Sequence, residues 1–177
     1  MAEKINGLGA LFDTTADVYH AAEKVRDAGY QRWDVHTPFP VHGMDVAMGL
    51  RRSRVPAFSL VGGVIGFTTG MFIAWYMGEY DYPLIVGGKP FFSPIFTFPV
   101  AYELTILFAA FGSFFGMFIT NLLPMHYHPV MNHPQWAGVT DDRFLIYIES
   151  ADTVFDLEKT RGLLEEIGGK NIAEVRE

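Results

Sequence analysis

Val55–Met77 reads VPAFSLVGGVIGFTTGMFIAWYM, 23 residues without a charge. As an α-helix it is roughly 35 Å long, enough to cross a hydrocarbon core of about 30 Å with some tilt. Gly62, Gly66 and Gly70 recur every four residues and make a small-residue stripe on one face, which suits close helix–helix contact. Trp75 and Tyr76 stand at the far end, where aromatic belts form. A second apolar stretch, Val100–Leu123 (VAYELTILFAAFGSFFGMFITNLL), carries Gly112 and Gly116 as a matching pair. Pro99 and Pro124 are expected to mark its ends. Its one charged residue, Glu103, then falls in the first turn, near the outer interface. The two spans form a hairpin whose five glycines are expected to make the helix-packing interface against larger membrane subunits.

Working outward, the charges crowd into residues 1–54 and 141–177. Half of the 177 residues are apolar, 15% are aromatic and 16 are Phe. That segregation is the mark of a membrane protein with soluble ends. The net charge of −7 argues against nucleic acid as a partner. With no cysteine, disulfides, thiolate-held iron–sulfur clusters and covalent c-type haem are excluded in this chain. The opening MAEKINGLGALFDTT lacks a basic n-region and an unbroken apolar run, so insertion through the internal spans is expected rather than a signal peptide.

Arg51, Arg52 and Arg54 precede the first span, whereas the connecting loop 78–99 holds only Glu79, Asp81 and Lys89. The excess of positive charge places the arginines in the cytoplasm and the loop outside, so both chain ends are cytoplasmic. Those ends have parallel plans. Leu8–Phe12 reads as a strand, Asp13 or Thr14 as a cap, Val18, Ala21, Ala22, Val25 and Ala28 as a helix face, Gly29 as its stop, and Tyr30–Val35 as a second strand. After the spans, Arg143–Glu149 is a strand and Ser150 and Asp152 offer caps. Val154, Leu157, Leu164 and Ile167 mark a helix that Gly168-Gly169 stops, and Asn171–Val175 is a last strand. A strand–helix–strand unit of this size cannot stand alone. Two of them pair into a four-stranded antiparallel sheet with both helices on one face, a ferredoxin-like α+β domain. The expected organisation is a βαβ half at 1–54, a transmembrane helix at 55–77, a periplasmic loop at 78–99, a second transmembrane helix at 100–123 and the other half at 124–177.

The loop carries a more specific pattern. Asp81-Tyr82-Pro83-Leu84-Ile85-Val86-Gly87-Gly88-Lys89-Pro90, then Ser93-Pro94, Phe98-Pro99 and Tyr102-Glu103-Leu104-Thr105, resemble the DUF3341 family, the ActD component of bacterial alternative complex III. Ser53, Pro56, Gly62-Gly63, Gly66, Asn121-Leu122-Leu123-Pro124, Tyr127-His128-Pro129-Val130 and Asp142-Arg143-Phe144 extend the resemblance over nearly the whole chain. It implies a two-span accessory subunit of the bacterial inner membrane, without catalysis of its own, in a respiratory or photosynthetic quinol:electron-acceptor oxidoreductase. Haem c, iron–sulfur clusters and the quinol site are then expected in partner subunits: c-type cytochromes, an iron–sulfur subunit and large multispan subunits. Tyr82, Pro83, Gly87, Gly88, Lys89, Pro90, His128 and Pro129 are the residues expected to dock on other subunits.

Glu103 is also a candidate for proton transfer, because an acidic residue inside a span is costly. A hydrogen-bonding anchor to a neighbouring subunit is the competing role. His126, His128 and His133, in MHYHPVMNH, have spacing that zinc or copper tolerates, yet no carboxylate is woven among them and prolines break the run. A solvated loop docking on partners is the preferred reading. His20, His36 and His42 are scattered and suggest no site. Gly7-Leu8-Gly9 precedes its strand and is no dinucleotide fingerprint. Gly87-Gly88-Lys89 lacks the rest of a P-loop. A membrane-tethered small-ligand sensor is the remaining alternative, on fold analogy alone.

Overall fold

The computed structural model describes residues 5–176. Residues 1–4 and 177 belong to the expected cytoplasmic halves, and 1–4 to the stretch read for a leader; they lie outside the described residues. The chain forms two compact units, Met1–Arg51 with His126–Glu177 and Arg52–Met125.

In the first unit, β1 (Ile5–Phe12) leads to α1 (Thr15–Asp27) and β2 (Trp33–His36), and a one-turn α2 (Met44–Ala47) follows. After the second unit come β3 (Phe144–Glu149), α5 (Leu157–Glu166) and β4 (Lys170–Arg176). The sheet is antiparallel in the order β2-β3-β1-β4. β1 pairs with β3 from Gly7 opposite Glu149 to Phe12 opposite Phe144. Alternation along the strands sorts the residues by face. Leu8, Ala10 and Phe12 join Phe144, Ile146 and Ile148 beneath Val18, Ala21 and Val25 of α1 and Leu164 of α5. Leu11, Leu145, Tyr147 and Val175 face the other way, under Val130, Trp136 and Val139. Both helices therefore pack on one face, and the segment after the hairpin covers the other.

Local chemistry explains where the ends fall. Thr14, not Asp13, caps α1, its hydroxyl accepting the Asp17 N–H at 3.1 Å. Asp13 instead pairs with Arg143 and Lys170. Hydrogen bonding to Lys170 leads in holding its carboxyl below the usual range, with Arg143 adding to it. α5 begins later than the spacing suggested. Asp156 caps it, accepting from Lys159 N–H at 3.0 Å, and Val154 lies before the helix with 47% of its surface exposed. Val18, by contrast, is buried in α1.

Asp152 has another task than capping α5. Its carboxylate is 6% exposed and accepts the backbone N–H groups of Gln31 and Arg32, both at 2.6 Å, and of Val154 at 2.9 Å. This ties the entry of β2 to the segment before α5. The Tyr30–Thr160 hydroxyl pair, at 2.9 Å and buried, joins the same two halves.

In the second unit, α3 (Val55–Tyr76) runs into a π turn at Met77–Asp81, and α4 spans Pro94–Thr120. α4 therefore starts six residues before the expected Val100 and ends before Leu123. Ser93 is extended and Pro94 takes the first helical position, where a missing N–H costs nothing. Pro99 sits inside the helix and forfeits a single bond, that to the Ile95 carbonyl.

Burial alone would raise the Asp152 pKa, but the Val154, Arg32 and Gln31 N–H donors outweigh it and hold the carboxyl low. A carboxyl whose folded pKa is depressed stabilises fully above its unfolded pKa and loses that contribution as pH falls through the folded value. Asp152→Ala is expected to cost about 1–3 kcal/mol near pH 7, and the difference from the unsubstituted chain should begin to shrink only below about pH 4, as pH falls toward the depressed folded pKa. Denaturant unfolding of the detergent-solubilised chain, followed by Trp33 and Trp136 fluorescence, measures both.

Candidate functional site

The glycines singled out in the two spans meet one another's helices. α3 and α4 are antiparallel, and Gly62 lies on the Phe108 carbonyl, Gly66 on the Leu104 carbonyl and Gly70 on Ala101. From the other side, Gly112 lies on the Phe58 carbonyl and Gly116 on the Phe58 ring. A Cβ added at Gly70 would stand 2.6 Å from Ala101 Cα, and at Gly62, Gly66 or Gly112 it would clash with backbone oxygen. Ser59 and Ser113 hydroxyls bridge the same seam at 2.6 Å. Gly66, Gly70 and Gly116 are buried in contact between the two helices themselves, while Gly62 and Gly112 are half-buried along the same seam. Small residues let two backbones touch, and the nearest backbone available is the antiparallel neighbour.

What the hairpin leaves outward is apolar bulk and one carboxylate. Glu103 is exposed on α4, two residues from both Ala101 and Thr105, which face α3. At about 100° per residue this puts it roughly opposite the packing face. It is not in the first turn. Nine residues separate it from Pro94, about 13 Å along the axis.

The loop Tyr82–Pro90 is exposed throughout. Gly87 and Gly88 have φ of 61° and 74° and form a tight turn, closed by Lys89 N–H donating to the Val86 carbonyl at 3.3 Å. Two successive positive φ values demand glycine, which accounts for the pair without any phosphate role. The turn raises Tyr82, Leu84, Ile85 and Val86, each at least 60% exposed. Lys89 lies over the Phe96 ring, 5.5 Å from its centre.

The histidines sort differently from their spacing. His133 is 3% exposed and sits over Gly9, where a Cβ would meet its ring at 2.6 Å. Burial lowers its pKa, with the Gly9 backbone opposing in part. His126 is exposed, and among the described residues no group of three His, Cys, Asp or Glu is placed to hold a metal. The stretch that looked like a solvated loop buries Val130 and His133 instead.

His128 and Pro129 border a different feature. A cleft of about 590 Å³ opens on the second face of the sheet, lined by Arg32, Asp34, His36, His128, Trp136 and Glu149 among others. His128 Nε2 is 3.8 Å from Glu149 Oε1. His36 packs edge-on to Trp136, with ring centres 5.1 Å apart, and its Nε2 has no partner. Burial leads in lowering the His36 pKa, Asp34 opposes it, and the nearby His128 lowers it further. Tyr147, beneath, is pushed up to about 12, first by burial and then by Glu149. Imidazoles, a guanidinium and carboxylates around an open cleft can hydrogen-bond a polar group. His36 was passed over in the sequence, yet the alternation of β2 gives it away. Trp33 and Val35 pack toward the helices, so Asp34 and His36 must face the other side.

Against known families, the family described as "Alternative complex III, ActD subunit" matches residues 6–174. No curated protein matches the chain.

Gly66→Ala is expected to force the hairpin apart and cost about 1–3 kcal/mol. Gly162→Ala, on α5 with nothing within 4 Å of an added Cβ, should stabilise by about 0.5–1 kcal/mol through helix propensity. Thermal unfolding of both variants in detergent reads the opposite signs.

Proposed function

We propose, from the premise that this chain belongs to the ActD subunit family of alternative complex III, that it is a non-redox accessory membrane subunit which stabilises assembly of that quinol-oxidising complex. The family match over residues 6–174 carries the reading. Haem c, iron–sulfur clusters and quinol then belong to partner subunits, and this chain, lacking cysteine, contributes surface and rigidity.

The structure lends support at four points. Val55–Asp81 and Pro94–Thr120 are each 27 residues, long and apolar enough to cross a membrane. Their outward faces carry exposed Phe67, Phe72, Phe98, Phe111, Phe114 and Phe115, a composition suited to lipid or to other transmembrane helices. Trp75, Tyr76 and Tyr80 gather at the end of α3, as at a membrane–water interface. The strand order β4-β1-β3-β2 with both helices on one face supports a ferredoxin-like domain, which on the arginine argument lies in the cytoplasm.

Deleting the gene for this chain should remove most of the assembled complex from a native gel and leave haem-bearing subcomplexes. Full assembly and turnover without it would refute the proposal.

A further inference from the structure

We infer that the outward face of α4 around Glu103 docks a transmembrane helix of another subunit, and that this helix presents a basic side chain to the Glu103 carboxylate at mid-span. The inference rests on the membrane-subunit reading above and adds the chemistry of the partner.

Four observations meet here. Glu103 is the only acidic or basic residue between Pro94 and Leu123. It points away from α3, and its exposed neighbours on α4 are Phe96, Val100, Leu107 and Phe114. Nothing in the chain answers it: among the described residues no hydrogen bond or ion pair reaches its carboxylate, and Lys89 is held over Phe96.

Depth is the fourth. Gly66 lies against Leu104 and Gly70 against Ala101, so Glu103 is level with the middle of the helix Val55–Asp81. The hydrocarbon boundary is then on the order of 10 Å away along the axis. A glutamate is shorter than the lysine and arginine side chains that snorkel to an interface. An ionised carboxylate at that depth is tolerated when a charge of opposite sign shares its desolvation, which a neutral donor does not do. A helix laid along this face would bury the four apolar neighbours and close over the carboxylate together. The glycine seam fixes which side of α4 is free to receive it.

The test uses the tagged chain purified with its complex in mild detergent. Partner subunits retained per chain are compared for wild type, Glu103→Leu and Glu103→Gln at matched membrane levels. Both variants are expected to lose about tenfold or more of the partners, since each leaves a basic group buried and unpaired. A photo-crosslinking residue in place of Leu107, with Glu103 intact, is expected to attach to a transmembrane segment of another subunit bearing Lys or Arg within about one turn of the adduct. This arm decides the matter if the Glu103 variants fail to accumulate. Wild-type retention by Glu103→Leu, retention by Glu103→Gln alone, or crosslinks to lipid only or to a second copy of this chain would each overturn the inference. Normal assembly with lost turnover would also overturn it, in favour of proton transfer. A wild-type chain that brings no other subunit with it would overturn the membrane-subunit reading and this inference together.

Discussion

The structure depends on β1 sitting between β3 and β4. The strand comes from before the hairpin and both its neighbours from after it, so the sheet closes only when the two ends of the hairpin open to the same side. An antiparallel pair of helices satisfies this by its geometry, bringing Val55 and Thr120 to one end. The pair in turn depends on the glycine seam, because a Cβ at Gly62, Gly66 or Gly112 would collide with the opposing backbone. Backbone contact gives many small dispersion gains along the seam. Within the sheet domain, Asp152 and the Tyr30–Thr160 pair tie the two halves directly.

Much of this was legible in the residues. Unbroken apolar length marked both long helices, and period-two and period-3.6 patterns marked four strands and the helices α1 and α5. Boundaries failed where a proline or a carboxylate had two possible uses. Pro99 looked like a terminus, but a proline costs one hydrogen bond and the helix gains six residues by running through it. Asp152 looked like a helix cap, but it serves the backbone of residues 31 and 32, a contact across more than a hundred residues of chain that no local pattern encodes. The docking proposed for Tyr82, Pro83, Gly87, Gly88, Lys89, Pro90, His128 and Pro129 rests on the family resemblance and on no local pattern, because a docking surface is defined by what it meets.

The two faces of the hairpin now have distinct meanings. The inner face is small, close and self-satisfied. The outer face is bulky, apolar and carries the one carboxylate at mid-span. On the sheet, the second face is likewise covered by its own chain, through Val130, Trp136 and Val139, except where the cleft between His36 and His128 stays open. Apolar or polar surface open to other molecules includes the outer helix faces, the loop around Gly87-Gly88 and this cleft. That distribution suits a subunit held from several sides at once.

The most direct measurement is a topology map of the intact cell with a membrane-impermeant thiol reagent. The chain has no cysteine, so single cysteines placed at each terminus and at Val86 report without background. The account predicts labelling at position 86 from outside and at neither end until the membrane is opened. Labelling of either terminus in sealed cells would contradict it, since strands on opposite sides of a bilayer cannot share a sheet.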